Sequence, residues 1–87
     1  MAMGYLKRFQ GVICEIGGNL KPAVIVSPDE LNEILPHVLV APVTNTRYVF
    51  PCRIDVYFAG KKGQIALDLM QPVLKEYVRQ KAGALPQ

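Results

Sequence analysis

The sequence predicts a small β-rich α+β domain, barrel-like, with about five short strands, a short surface helix and a C-terminal helix. Short apolar runs rich in Val and Ile recur along the chain, Gly, Pro and Asn separate them, and only two stretches carry helix signals. With 87 residues there is room for one core and hence one domain over 1–87. A chain that is 51% hydrophobic and 20% charged is not a disordered tail. The uncharged stretch 34–46 is broken by Pro36, His37, Pro42 and Asn45, well short of the roughly 20 apolar residues that span a membrane. The N-terminus shows no signal-peptide pattern, so a soluble cytoplasmic protein without membrane contact is expected.

In chain order, residues 12–16 (Val-Ile-Cys-Glu-Ile) make a first strand, and Gly17, Gly18 and Asn19 supply the positive-φ positions of a tight turn. Residues 23–26 (Ala-Val-Ile-Val) are wholly apolar, the pattern of a central strand. Ser27 as N-cap, Pro28 at the first helical position and Glu30 three residues after the cap predict a surface helix over 27–35, halted by Pro36. Residues 38–43 form the next strand, with Pro42 marking an edge or a bulge. Residues 53–58 alternate polar and apolar, a turn follows over 60–63, and 64–69 pairs back as a hairpin. After Pro72, Val73, Leu74, Tyr77 and Val78 fall at helical spacing, with Arg79 and Lys81 in a last turn and Gly83 beyond it. That spacing predicts the C-terminal helix, over 72–82.

Cys14 and Cys52 lie far apart in sequence and His37 is the single histidine. Without a C-x-x-C pair, both cysteines read as small apolar residues, and no metal or other cofactor is expected. Residues 1–44 set three cations against four acids, whereas 45–87 set seven against three. A cationic half suits a phosphate backbone, or is simply a solvated surface. Arg53, on an alternating strand, is either a phosphate contact or a cross-strand partner. His37 is the obvious base by its ordinary pKa but sits at a strand start behind Pro36.

Three stretches together resemble the MazF/PemK toxin family and its fold relative CcdB. Residues 21–32 (Lys-Pro-Ala-Val-Ile-Val-Ser-Pro-Asp-Glu-Leu-Asn) are similar to the family's Arg-Pro-Ala-Leu-Val-Val-Ser segment with its following helix. Residues 40–46 (Val-Ala-Pro-Val-Thr-Asn-Thr) resemble its Ala-Pro-(Ile/Val)-Thr-(Ser/Asn) strand end, and 50–54 (Phe-Pro-Cys-Arg-Ile) its entry into the next strand. The resemblance implies an SH3-like barrel that forms a homodimer, is held in check by a cognate antitoxin, and cuts single-stranded RNA without a metal.

By position, the resemblance gives the catalytic roles to Lys21 and Thr44; Asn45, Arg47 and Arg53 are expected to bind RNA. Lys21 stands where the family has Arg, keeping the cation and losing the planar fork. Glu15 falls where the family often has an acid; it is either a general base or the outward residue of an edge strand. The loop between the first two strands is short here, and the family offers no counterpart of His37. Two other functions are consistent with such a fold: a non-catalytic member acting through protein binding, and a CcdB-like toxin that poisons a protein target such as gyrase. The expected antitoxin segment is acidic and lies along a groove edged by Lys21, Arg47 and Arg53.

Overall fold

A computed structural model describes residues 6–45, 51–58 and 60–84. The described chain is strand-rich and antiparallel throughout. It opens with a hairpin of β1 (Gln10–Ile16) and β2 (Asn19–Ile25), joined by Gly17 at φ 61° and Gly18 at φ 82°. Both glycines are left-handed, as the twist-matched two-residue hairpin turn requires, and Ile16 pairs directly with Asn19. After α1 (Asp29–Ile34) come β3 (His37–Thr44), β4 (Arg53–Phe58) and β5 (Lys61–Ala66). β6 (Gln71–Leu74) and β7 (Val78–Ala84) follow, with 3-10 turns at Leu67–Leu69 and Lys75–Tyr77. The hydrogen-bonded order is β4-β5-β3-β2-β1-β7, and β6 also pairs with β3. No helix among the described residues is long and apolar enough to cross a membrane.

β3 changes partner along its length. Residues His37 to Val40 pair with β6, whereas Val43 and Thr44 pair with β5. Ala41 and Pro42 lie between the two ladders, so the proline, which has no N–H to donate, sits where that side of the strand is changing hands. The edge-or-bulge reading of Pro42 corresponds to this switch.

The central strands are buried on both faces, which is why 23–26 carries no polar residue. One cluster gathers Val12, Cys14, Ala23, Ile25, Val38 and Val40 with Val73 and Val78. The other gathers Val24, Ala41 and Ile65 with Ile13, Val43 and Val56 packed against them. Fully burying a Val or Ile contributes about 1.5–3 kcal/mol, so these strands carry much of the fold's stability. Burial also pushes the Cys14 thiol up to about 11, leaving it protonated and unreactive at neutral pH.

The β-rich class, the first hairpin, the central strand and the surface helix are as the sequence predicts. The predicted C-terminal helix over 72–82 is not formed. That stretch is β6, a 3-10 turn and β7, which raises the strand count above the expected five. Val73 pairs with Val38 and Val78 with Cys14, while Leu74 and Tyr77 face solvent. The backbones of β1 and β3 are buried and need ladder partners on their outer sides, and this demand outweighs helical spacing. The second hairpin pairs Phe58 with Lys61 and has Gly60 at φ 80°, so Lys61 to Gly63 belong to β5 and not to the turn.

The helix start also differs. Pro28 caps α1 without a side-chain hydrogen bond. Ser27 is instead buried, its hydroxyl donating to Asn32 Oδ1 and accepting the Leu39 N–H at 3.0 Å. Asn32 Nδ2 returns a bond to the Ser27 carbonyl at 2.9 Å. The serine therefore bolts α1 to β3 and satisfies three otherwise orphaned buried groups.

Candidate functional site

The β2–β3 ladder runs from Ile25↔Val40 to Ala23↔Pro42 and stops there. Pro22, next along β2, turns its nitrogen toward β3 and has no N–H to continue it. Two positions further along the same register, Lys21 faces Thr44 across the opening. The parted strands form one wall and floor of a groove of about 650 Å³, and β5 forms the other wall. Lys21, Thr44 and Asn45 line it together, as do Lys61 and Lys62. Ile13, Pro22, Pro42, Val43 and Leu69 make an apolar bed between the polar groups.

Gly63 fixes how close the β5 wall comes. A Cβ there would lie 3.1 Å from the Thr44 carbonyl oxygen and 3.2 Å from Val43 Cγ1. Only a residue without a side chain lets β5 approach β3 this closely. The approach sets Lys61 and Lys62 beside Thr44 and Asn45.

Two arginines of the described residues are held by carboxylates. Arg53 Nε donates to Asp68 Oδ1 at 2.6 Å and Nη2 to Oδ2 at 3.0 Å, a two-pronged pair. Arg79 donates to Glu15 Oε1 at 2.7 Å and 3.2 Å. The groove lining, by contrast, holds Lys21, Lys61 and Lys62 and no carboxylate. A cleft with one sign of charge and apolar walls focuses its field on an anionic ligand.

Of the sequence-predicted site residues, Lys21, Thr44 and Asn45 come together in this groove. Arg53 does not: its side chain is 6% exposed and bound to Asp68, away from the lining. It therefore does not edge the groove. Arg47 lies outside the described residues. Glu15 is engaged by Arg79, and its strand, β1, is not an edge strand but lies between β2 and β7. His37 lines a different cavity, of about 480 Å³, walled by Phe9, Leu31, Leu35 and Met70 beside α1. Both cysteines are free thiols, and no three His, Cys, Asp or Glu side chains among the described residues are placed to hold a metal ion.

Sequence reasoning missed Lys61 and Lys62, which it spends on a turn. The signal was available: a turn closing at Gly60 puts both lysines at the start of the returning strand.

The sequence matches the PemK-like, MazF-like toxins of type II toxin–antitoxin systems over residues 5–87. The chain belongs to this family. No curated protein sequence matches it. The family's fold recurs in solved structures. A mycobacterial endoribonuclease in complex with its cognate antitoxin superposes with a TM-score of 0.84 at 23% identity, covering 92% of this chain and 79% of that one. The toxin MazF-mt6 of Mycobacterium tuberculosis gives 0.79 at 19% identity, over 88% and 80% of the two chains. A MazE–MazF complex of Deinococcus radiodurans gives 0.76 at 20% identity, over 92% and 79%. At these identities the likeness is one of fold, and it agrees with the strand-rich family member described above.

Proposed function

We propose that this toxin-family chain is an endoribonuclease that cuts single-stranded RNA in the lysine-lined groove. The observation that carries the reading is the meeting of Lys21, Thr44 and Asn45 in one acid-free groove. In the proposed reaction the 2′-OH attacks the adjacent phosphorus. A 2′-O–P bond forms as the 2′-OH proton passes to solvent water, and the P–O5′ bond breaks as the 5′-oxygen takes up a proton, leaving a 2′,3′-cyclic phosphate and a 5′-OH. The nucleophile belongs to the substrate, so the reaction needs no metal-activated water. The Lys21 ammonium stabilises charge on the non-bridging oxygens or delivers a proton to the departing 5′-oxygen. The Thr44 hydroxyl orients the phosphate by hydrogen bonding, and Asn45 binds the neighbouring nucleotide. Arg47, three positions after Thr44, is assigned an RNA contact as well. Arg53 instead braces β4 against the Leu67–Leu69 turn.

The wider reading follows the family. The architecture proposed is the SH3-like barrel, with β3 serving both halves, and the assembly is a cytoplasmic homodimer. A cognate antitoxin supplies an acidic segment that folds into the groove and displaces RNA. The solved relatives named above include toxins bound to an antitoxin.

Cleavage of a long single-stranded RNA in EDTA tests the chemistry. Loss of one preorganised charge donor costs about 100- to 1000-fold in rate, so Lys21→Ala is expected to be almost inert. Lys21→Arg keeps the cation and adds the planar fork, and is expected to hold or raise activity. Parental cutting by Lys21→Ala, or cutting after 2′-deoxy substitution at the scissile position, would overturn the reading.

A further inference from the structure

We infer that Lys61 and Lys62 form a phosphate-binding wall for RNA, separate from the residues that act on the scissile phosphate. The assignment rests on the groove being the RNA site. Lys21 and Lys62 belong to β2 and β5, the strands on either side of β3. Two strand spacings amount to about 10 Å, and Lys62 lies two residues beyond Gln64, which faces Lys21 across β3, so the two lysines start about 12 Å apart and the walls are assigned different phosphates of the same strand. Both lysines are exposed at the rim, and Gly63 holds them there by admitting β5 against Thr44. No ion pair engages Lys61 or Lys62 among the described residues, unlike Arg53 and Arg79. Such lysines are charges held ready for a polyanion, and the apolar bed between the walls suits bases lying across it.

A wall of this kind binds without taking part in bond breaking. Its loss weakens affinity through counterion release and leaves the chemical step alone. Each cation that neutralises a phosphate on a single strand adds about 0.7 to the slope of log K against log salt. Removing two is therefore expected to make the slope shallower by about 1.4.

The experiment uses the full chain and a 2′-O-methyl oligoribonucleotide, which binds but cannot be cut, titrated by fluorescence anisotropy across a salt series. Lys61→Ala/Lys62→Ala is expected to show the shallower slope, and with cleavable RNA a raised KM at unchanged kcat. Lys61→Arg/Lys62→Arg is expected to restore the parental slope. Lys75→Ala, which removes a charge away from the groove, is expected to leave the slope as it was. A parental slope in the double alanine variant overturns the proposal, as does a loss confined to kcat. A parent chain that does not bind the strand at all overturns it too. If the parent binds with the full slope and loses it in the double variant, yet no RNA is cut, the lysine wall stands and the nuclease reading falls.

Discussion

Two arginines and three lysines of the described residues take different tasks. Arg53 and Arg79 use planar guanidinium groups to fasten β4 and β7 to carboxylates of Asp68 and Glu15, the geometry a guanidinium serves best. Lysines line the groove, where flexible point charges meet a mobile ligand. Hydrogen bonds from Arg53 hold the Asp68 carboxyl below the usual range, with a smaller opposing effect from desolvation. A depressed native pKa adds stability at pH values above the unfolded pKa, here near 3.8. The contribution fades as pH falls below that value and is gone beneath the native pKa. Asp68→Asn should therefore lower the melting temperature at neutral pH and flatten the acid limb of its pH dependence below about pH 4. Thermal unfolding between neutral pH and about pH 2 checks this, and an acid limb as steep as the parent's would show that the pair is not coupled to folding.

At the scale of elements, the closeness of β5 to β3 rests on Gly63. Replacing a strand glycine by alanine ordinarily gains about 0.5–1 kcal/mol of backbone entropy. Here the new methyl meets the Thr44 carbonyl at 3.1 Å, on a residue that the Thr44↔Gln64 pairing holds in place. Overpacking of this kind costs about 1–3 kcal/mol, so the clash outweighs the gain and Gly63→Ala is expected to destabilise by about 1 kcal/mol. Chemical denaturation measures it, and a stabilised variant would show that β5 has slack. The same element shows what a sequence reveals. Periodicity and turn residues made β1, β2, α1 and the start of β3 legible, because their signals are local. Lys21 and Thr44 are singled out by the family resemblance and not by periodicity, and they meet Asn45 in one groove. The stretch 72–82 was misread because Val73 and Val78 fit a helical stripe equally well, and only the unpaired edges of β3 and β1, distant in sequence, decide between them. For Arg53 the sequence leaves a phosphate contact and a protein partner both open, because nothing local announces its pairing with Asp68.

The whole molecule carries more apolar surface than its own core covers. Ile34 is 75% exposed, and Leu20 and Tyr57 are 64% exposed. A small domain buries only about 60% of its unfolded surface, and assembly is a common way to cover the rest. Sedimentation is expected to find the homodimer at micromolar concentration, where an association of about −8 kcal/mol is half-complete. A monomer there would remove the dimer from the proposed function. Pro22 and Pro42, at the end of the β2–β3 ladder, have an effect at this scale as well, on errors of strand alignment. Both strands are apolar on either side, so sliding one past the other by a residue exchanges one buried set for another and meets little hydrophobic resistance. Sliding in one direction puts Pro42 opposite Val24, inside the ladder, where a carbonyl then lacks its donor. Sliding in the other sets Pro22 against Pro42, a pair with no donor at all. The prolines that line the groove thus also penalise misaligned sheets that hydrophobicity alone would let through.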